Sequence, residues 1–341
     1  MNALIWEAPR QMALREVPTP TPEADEVLIK VAYAGICGSE LSGYLGHNAL
    51  RKPPLIMGHE FSGEIVEVGG QAAETHPHLK PGVGVTVNPL YCREPSEFQE
   101  RGLDQLCPSR TLLGAHRPGA YAAYVTTPAR TVTPLPAGMS LRMGALTEPV
   151  ACAVRMGELS GDVAGADVLI IGAGPIGLLA LQVLKHRGAA RVFIVDLDQE
   201  RLGMGEALGG VAMDPRRQDP VETVREATGG RGVPVAIDAV GLGVTRTQCV
   251  AATMSAGLVL LTGLHEETSQ MPAADIIRRE IRVQGSFAYT PANFAAAVDL
   301  LAQGHIGLDP WIVEAPLAEG GLWFERLLDA PGKVAKVLLR P

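Results

Sequence analysis

The chain has 341 residues, enough for two domains, and 47% hydrophobic with 19% charged residues is an ordinary globular balance. A net charge of −8 without any basic run argues against nucleic-acid binding, and the N-terminus lacks the basic and long apolar segments of a secretory signal. We therefore expect a cytoplasmic protein with no nucleic-acid or membrane partner, whose five cysteines are free thiols or metal ligands rather than a disulfide framework.

The first part of the chain, to about residue 90, contains short runs with the pattern of β-strands. Residues 26–34 (EVLIKVAYA) and 60–68 (EFSGEIVEV) are two of them, and Pro and Gly separate the runs. This spacing predicts a compact, mostly antiparallel β domain.

Glycine-flanked Cys and His residues occur within this predicted domain. Cys37 lies in GICGSE, and His59 follows 22 residues later in GHE, directly before Glu60. Deprotonated Cys, His and Glu are all zinc ligands, and the glycines suggest sharp backbone turns that let the side chains converge. Taken singly, however, a buried inert thiol and a structural histidine are the more common roles of Cys37 and His59.

A helix is predicted at the boundary of the two domains. Residues 121–132 return to the β pattern, PLPAG at 134–138 marks the boundary, and apolar residues at helical spacing follow over 143–159. Glu148 lies on this helix among Leu, Pro, Ala and Val. A carboxylate in such surroundings is costly unless it is paired or binds a metal.

The stretch 167–185 has the pattern of a strand, a glycine turn and a helix. Residues 168–171 form a short, mostly β-branched run suited to a buried parallel strand. The turn then matches G-x-G-x-x-G, in which the glycines permit a tight turn, approach to a pyrophosphate and close packing of helix on strand. The free N–H groups at the start of the helix favour phosphates. The residues of this turn predicted to bind a dinucleotide are Gly172, Gly174, Pro175, Ile176 and Gly177.

Asp196 ends the next predicted strand, 191–195, and lies 24 residues after Gly172. A carboxylate there accepts hydrogen bonds from ribose hydroxyls and repels a 2′-phosphate, so NAD is favoured over NADP. Arg201 keeps the alternative open, because its side chain could reach such a phosphate. Two other interpretations, a glycine-rich loop that binds nothing and a membrane span, are disfavoured by the complete pattern and by the internal glycines and proline.

Strands and helices continue to alternate after Asp196, which predicts a doubly wound parallel sheet. Helices are predicted at 200–208, 219–228, 245–254 and 293–303, and strands at 233–239, 258–262 and 281–285. Ligands bind beyond the carboxyl ends of such strands. The residues predicted to lie there, at the cofactor crevice, are Val240, Gly263, Leu264, Ser286 and Phe287.

Four motifs carry a family resemblance that covers essentially the whole chain. They are GICGSE, GHEFSGEIVEVG, GAGPIG and the tail GKV at 332–334. Together they resemble the zinc-containing medium-chain dehydrogenases, the superfamily of alcohol and polyol dehydrogenases. The resemblance implies an α/β fold with a GroES-like, mostly β catalytic domain (1–150), an NAD-binding Rossmann domain (151–289) and a return to the catalytic domain (290–341). It also implies a homodimer or homotetramer.

The resemblance implies a ligand set for one catalytic zinc. Cys37 and His59 match the first two ligands of the family, and Glu60 matches the glutamate that lies at the metal in polyol dehydrogenases. Glu148, in LTEP, matches the glutamate that replaces the third-ligand cysteine of ordinary alcohol dehydrogenases. This favours the polyol branch. Cys152, four residues later, is interpreted as a packing residue.

The resemblance also assigns residues around the metal. Ser39 matches the hydroxyl that receives the proton of the substrate alcohol, and Glu40 stands where the family commonly has an Asp that binds the zinc-bound histidine. Ser42 occupies the place where many relatives carry a histidine that passes the proton on to solvent. His47, five residues on, is a possible substitute, although an exposed loop histidine is the plainer interpretation.

Residues 92–107 depart from the family pattern. Zinc-bearing relatives often have four cysteines here that bind a structural zinc, whereas this chain has only Cys92 and Cys107, with acidic residues between them. A closed structural site needs four ligands, so we predict no structural zinc and a solvated acidic loop. A disulfide between the two cysteines is possible by sequence but is disfavoured by a reducing compartment.

The function implied by the resemblance is reversible hydride transfer between NAD and a secondary alcohol of a polyol, sugar or cyclitol. The partner would be a small alcohol or ketone. Three alternatives stay open: oxidation of an amino alcohol as in threonine dehydrogenases, a zinc-free quinone or enoyl reductase, and an inactive cofactor-binding scaffold. The set of zinc ligands counts against the last two.

Overall fold

The structure, a computed structural model, describes all 341 residues and divides into two compact units. The first unit contains Met1–Ala151, Tyr289–Gly304 and Asp309–Pro341, and the second contains Cys152–Ala288 and His305–Leu308. None of its helices combines the length and the apolar character that crossing a bilayer requires.

The strands, numbered in chain order, are β1 (Asn2–Ala8), β2 (Gln11–Glu16), β3 (Glu26–Gly35), β4 (Leu55–Ile56), β5 (Glu60–Val68), β6 (Gly84–Val87), β7 (Leu90–Cys92), β8 (Arg110–Leu112), β9 (Tyr124–Pro128), β10 (Val132–Pro134), β11 (Asp167–Ile171), β12 (Arg191–Val195), β13 (Val211–Met213), β14 (Val233–Asp238), β15 (Thr253–Leu261), β16 (Arg282–Gly285), β17 (Ile312–Pro316) and β18 (Lys336–Arg340).

The α-helices are α1 (Gly38–Tyr44), α2 (Gly70–Thr75), α3 (Glu97–Glu100), α4 (Leu141–Gly144), α5 (Thr147–Leu159), α6 (Pro175–His186), α7 (Gln199–Ala207), α8 (Pro220–Ala227), α9 (Gly243–Ala252), α10 (Ala273–Arg278), α11 (Pro291–Ala302) and α12 (Gly320–Asp329).

The first unit is organised around β3, which pairs antiparallel with β5, β9 and β18. Its largest sheet runs in the order β10-β6-β5-β3-β18-β17, with β9 beside β3. Side chains of these strands, of β1 and of α12 fill one core, which includes Trp6, Ile29, Phe61 and Phe324. The predicted mostly antiparallel β fold is thereby confirmed, and β17 and β18 are the strands that the C-terminal segment adds to it.

The second unit is a six-stranded parallel sheet in the order β13-β12-β11-β14-β15-β16. The central strand β11 supplies four buried apolar residues in succession, as a strand covered on both faces does. This is the doubly wound order with its reversal between β11 and β14, which confirms the predicted Rossmann fold.

Several elements differ from the sequence prediction. β13, α10 and α12 were not predicted: β13 and α10 are too short to show a clear period, and α12 begins with the helix-breaking pair Gly320 and Gly321. β15 begins at Thr253, five residues before the predicted strand, because its pairing with β14 starts there.

Residues His305–Leu308 pack with the second unit rather than with the segments around them. The Gln182 side chain accepts from the N–H of Gly307 at 3.0 Å and donates to its carbonyl at 2.9 Å, and the rings of His186 and His305 are 4.6 Å apart. These contacts involve residues more than 100 positions apart, so no local pattern predicts them.

Candidate metal centre and cofactor-binding edge

Neighbouring strands bring three of the predicted ligands together. Gly35, at the end of β3, is the register partner of Glu60 at the start of β5, so Cys37 and His59 lie just beyond the same end of this strand pair. A Cβ on Gly35 would lie 2.3 Å from Oε2 of Glu60, so only glycine leaves room for this carboxylate. One ligand atom each of Cys37, His59 and Glu60 lies within 4.8 Å of the others.

Glu40 fixes the orientation of the His59 ring. Oε1 of Glu40 lies 2.8 Å from Nδ1 of His59 and accepts from the N–H of Gly58, also at 2.8 Å. Oε2 accepts from the N–H of Cys37 at 3.2 Å and from the hydroxyl of Tyr121. Because a carboxylate only accepts, Nδ1 carries the hydrogen and leaves Nε2 to bind a metal.

The electrostatics of this pair follow from its burial and its partners. Burial alone would raise the pKa of the Glu40 carboxyl, but attraction to His59 and Arg51 and the hydrogen bonds from His59 and Tyr121 lower it to about 2. Burial alone would lower the pKa of His59, yet the negative charges of Glu40 and Cys37 raise it well above its usual range. A cation near His59 is therefore favoured, whether a proton or a metal ion.

Lys336 binds the third predicted ligand. Its Nζ lies 2.9 Å and 2.7 Å from the two carboxylate oxygens of Glu60 and donates to the carbonyl of Ile36 at 3.1 Å. Both side chains of the ion pair are buried. Sequence reasoning missed Lys336; the only available signal is a lysine at the start of the apolar strand β18.

Glu148 lies near this cluster without belonging to the group of three. It is on the first turn of α5, and its side chain is buried. Burial and the negative charge of Glu60 raise its pKa to about 7, although His59, Tyr289 and Lys336 oppose the shift. A buried carboxyl with this charge environment is a candidate for a metal ligand or a neighbour of one.

The donor set fits zinc. A thiolate, an imidazole nitrogen and a carboxylate oxygen are ligands that zinc prefers, and a catalytic site uses three protein ligands and keeps one position open. Ser39 is exposed beside this group, and its hydroxyl donates to Sγ of Cys37 at 3.4 Å. Ser42, at the place of the relay histidine of many relatives, is half-buried on α1, and His47 is exposed on the following loop.

The structure corrects the expectation that Cys92 and Cys107 do not form a disulfide. The structure joins them in a disulfide with their Cα atoms 5.9 Å apart, whereas the sequence analysis disfavoured this bond. Both residues are buried at the base of the loop that carries α3, so their thiols meet away from water. Cys37, Cys152 and Cys249 are not part of a disulfide.

The predicted cofactor residues of the second unit lie at one edge of its sheet. β11, β12, β14, β15 and β16 run parallel and in register, so the residues that follow them emerge at the same edge. The residues that the structure brings to this edge are Gly172, Gly174, Pro175, Ile176, Gly177, Asp196, Val240, Gly263, Leu264, Ser286 and Phe287.

The glycine turn has the geometry of a phosphate cradle. Gly172 has a φ of +110°, which a residue with a side chain rarely adopts. A Cβ on Gly177 would lie 1.8 Å from the carbonyl oxygen of Gly172, so the helix can approach the strand only with glycine there. Gly174 has open space around it and precedes α6, whose first N–H groups are unpaired within the helix. The turn therefore fits a pyrophosphate.

Asp196 is held by the turn itself. Its Oδ2 accepts from the N–H of Ala173 at 2.7 Å, and Oδ1 accepts from the N–H of Asp198 at 2.9 Å. Arg201 lies in the first turn of α7, where its backbone N–H donates to Asp198, the helix N-cap. The carboxylate thus lies beside the glycine turn, where a ribose is expected.

Two loops of this edge pack back to back. A Cβ on Gly263 would lie 2.2 Å from the backbone nitrogen of Gly241, so both residues must be glycine. Buried Asp238 accepts from the N–H of Val240 and of Gly241, and Arg246 donates to the carbonyls of Gly263 and Glu266. Leu264 and Phe287 are exposed beyond these loops, whereas Ser286 is buried.

Comparison with known proteins places this geometry in a family. Residues 23–137 match the alcohol dehydrogenase GroES-like domain, and residues 175–303 match the zinc-binding dehydrogenase domain. The chain is 33% identical to (R,R)-butanediol dehydrogenase of Bacillus subtilis (strain 168) over the full length of both chains. It is 31% identical to sorbitol dehydrogenase of Homo sapiens, covering 91% of this chain and 87% of that protein.

A solved structure supports the same family assignment. An alcohol dehydrogenase of Escherichia coli CFT073 in complex with NADH has a TM-score of 0.92 and 28% identity, covering 100% of this chain and 99% of the other. Similarity therefore extends over both units. The chain belongs to the zinc-containing medium-chain alcohol and polyol dehydrogenases.

Proposed function

We propose that this enzyme oxidises a secondary alcohol of a polyol, sugar or cyclitol with NAD, and that Cys37, His59, Glu60 and Glu148 form its zinc site. The observation that carries the proposal is the convergence of a thiol, an imidazole and a carboxylate within 4.8 Å. When bound, zinc supplies a Lewis acid that eases deprotonation of an alcohol, and NAD supplies the hydride acceptor.

Residues of the first unit position the metal ligands and transfer the substrate proton. Glu40 holds the tautomer of His59, and Lys336 holds the carboxylate of Glu60. Ser39 takes the proton of the substrate hydroxyl and passes its own proton to solvent, because its hydroxyl lies beside Cys37 and Ser39 is exposed.

The cofactor residues support NAD in particular. Asp196 presents its carboxylate beside Ala173 of the glycine turn, where it accepts from ribose hydroxyls and repels a 2′-phosphate. The backbone N–H of Arg201 donates to the side chain of Asp198, the N-cap of α7. We propose that Arg201, together with Val240, Gly263, Leu264, Ser286 and Phe287, lines the cofactor.

Amino alcohol oxidation remains the second candidate, because it uses the same ligands. A zinc-free reductase is disfavoured, because it has no use for the buried pair of His59 and Glu40 or for the thiol beside them. An inactive scaffold would bind NAD but hold no metal.

A substrate screen tests the proposal. Zinc-loaded enzyme is assayed by NADH absorbance with sorbitol, arabitol, galactitol, their phosphates, myo-inositol, 2,3-butanediol and threonine, each with NAD and with NADP. We expect a polyol to give the highest kcat/KM with NAD, and Cys37→Ala to abolish activity while Cys152→Ala keeps it. Turnover of threonine alone favours the second candidate, and no turnover of any alcohol contradicts the proposal.

We also propose a cytoplasmic homodimer or homotetramer. Three of the five cysteines, Cys37, Cys152 and Cys249, are not in a disulfide, which suits a reducing compartment, whereas the Cys92–Cys107 disulfide counts against one. β16 is an edge strand whose four residues are all exposed, and its unpaired backbone groups suit pairing with a second copy. Light scattering after gel filtration measures the oligomer, and a monomer at micromolar concentration would contradict it.

A further inference from the structure

Arg51 is a buried cation beside the candidate proton acceptor. It lies on the loop between α1 and β4, and only 3% of its surface is exposed. A charge removed from water is costly unless its hydrogen-bonding groups find partners. The hydrogen-bond acceptors of this guanidinium therefore indicate which groups it positions.

All three of its side-chain hydrogen bonds go to uncharged oxygen atoms. Nη1 donates to the carbonyl of Ser39 at 3.1 Å, Nη2 donates to the hydroxyl of Ser39 at 3.4 Å, and Nε donates to the carbonyl of Gly114 at 3.2 Å. Two of the three therefore reach one residue. The negative charge of buried Glu40 is close enough to attract it.

The fold leaves space for this side chain. Gly43, one helical turn after Ser39 on α1, is buried, and a Cβ there would lie 2.8 Å from Cδ of Arg51. The other acceptor of Arg51 is the carbonyl of Gly114. A Cβ added at Gly114 would lie 2.8 Å from the backbone nitrogen of Gly58, the residue before His59, so these two segments are in close contact. Arg51 thus connects the Ser39 turn with the segment that carries the histidine.

The contact with Ser39 restricts its hydroxyl. A serine hydroxyl has one hydrogen and two lone pairs, and it rotates freely when exposed. Nη2 of Arg51 occupies one lone pair, and the hydrogen points to Sγ of Cys37. One lone pair is then left to accept a proton from a substrate hydroxyl, and Ser39, which is exposed, releases its own hydrogen to a solvent water in the same transfer. A guanidinium cannot itself accept the proton, so Arg51 positions Ser39 and does not replace the relay histidine absent at position 42.

We propose that Arg51 is a positioning residue for Ser39: its guanidinium holds the main chain and the hydroxyl of Ser39 in the orientation that accepts the substrate proton. This inference rests on the role of Ser39 in the proposed function. It requires that loss of Arg51 act on kcat through Ser39, and not through the metal, the cofactor or the fold.

The test uses zinc-loaded full-length protein and the alcohol of the substrate screen with the highest kcat/KM. The variants are Arg51→Met, Arg51→Lys, Ser39→Ala and the double variant, with Lys52→Met as the matched loss of charge on the same exposed loop. Zinc content, the Kd of NADH and the melting temperature are measured alongside kcat and KM.

We expect Arg51→Met to lower kcat about tenfold to a hundredfold while zinc content and the Kd of NADH stay unchanged, because a positioned proton acceptor is worth at least that factor. Arg51→Lys should recover part of the loss, and Lys52→Met should have no effect. In the Ser39→Ala background, Arg51→Met should add less than about a threefold loss, since contacting residues of one network are not additive.

Other outcomes overturn the inference. An Arg51→Met variant with normal kcat, or one that is slowed by the same factor with and without Ser39, excludes a role through Ser39. If Arg51→Met does not fold, Gly43→Ala decides, because the added methyl displaces Arg51 without removing its charge; unchanged kcat in that variant also excludes the role. A wild-type rate in Ser39→Ala would instead contradict the proposed function of Ser39.

Discussion

Among the single residues of the site, Glu40 connects the candidate metal centre with the surrounding backbone. It accepts from His59, from Tyr121 and from the backbone N–H groups of Cys37 and Gly58. The family commonly has aspartate here, and the additional methylene of glutamate lets one carboxylate reach Tyr121 as well as the ring. Partners of this kind orient metal ligands and raise their basicity.

Replacing Glu40 by Gln should weaken zinc binding. The amide can still accept from Nδ1 of His59, but it adds no negative charge and its NH2 group faces the donors of Cys37 and Tyr121. We expect a zinc Kd about tenfold to a hundredfold higher, measured by competition with a chromophoric chelator. Glu64→Gln, an exposed change on β5, is the control, and equal Kd values for both variants would contradict this role.

The stability of zinc-free protein should depend on pH through the same carboxyl. The pKa of Glu40 is about 2 against an ordinary 4.5, so the folded state releases its proton more readily than the unfolded state. A lowered pKa stabilises the fold above pH 4.5, and this stability is lost as the pH falls towards 2. The difference corresponds to about 3 kcal/mol.

Urea unfolding of zinc-free wild type and Glu40→Gln between pH 6 and pH 3 measures this dependence. The free energy of unfolding should fall more steeply with decreasing pH in the wild type. Parallel curves for the two proteins would show that Glu40 is not the responsible group.

At the scale of elements, two glycines of the cofactor turn should behave differently. Gly177→Ala places a Cβ 1.8 Å from the carbonyl oxygen of Gly172, so α6 must move off β11, and we expect a loss of about 2–4 kcal/mol in the free energy of unfolding. Gly174→Ala meets no neighbouring atom within 4 Å and should keep wild-type stability.

Cofactor binding separates the same two variants further. Gly174 is where backbone approaches the pyrophosphate, so Gly174→Ala should raise the Kd of NADH by about tenfold or more although the fold is intact. Thermal unfolding and NADH fluorescence titration make both measurements. A stable Gly177→Ala variant, or tight NADH binding by Gly174→Ala, would be inconsistent with this geometry.

A disulfide between Cys92 and Cys107 closes the loop in which the family resemblance led us to consider a structural zinc. A crosslink over 15 residues restricts the unfolded chain and contributes about 3 kcal/mol in the chain-entropy model. Replacing both cysteines by serine should therefore lower the melting temperature under non-reducing conditions. The same change should lower the melting temperature less in the presence of a reductant, which removes the crosslink from the wild type as well, and an equal effect in both would argue against the disulfide.

Across the whole molecule, features encoded in short local motifs could be predicted from the sequence, whereas long-range contacts could not. The glycine turn, Asp196 and the order of strands and helices in the second unit are encoded in short stretches, and the structure contains them. Lys336 lies 276 residues from Glu60, and Tyr121 lies 81 residues from Glu40. These two partners depend on strand pairing in the first unit, which one sequence does not reveal.

The zinc content of purified protein tests the central claim most directly. Inductively coupled plasma mass spectrometry is applied to wild type, Cys37→Ala and Glu148→Ala, with Cys152→Ala as the control, each normalised per chain. We predict one zinc per chain in wild type and control, and loss or weakening in the other two variants. Two zincs would contradict the interpretation of residues 92–107, and no zinc in protein kept from chelators would contradict the metal centre itself.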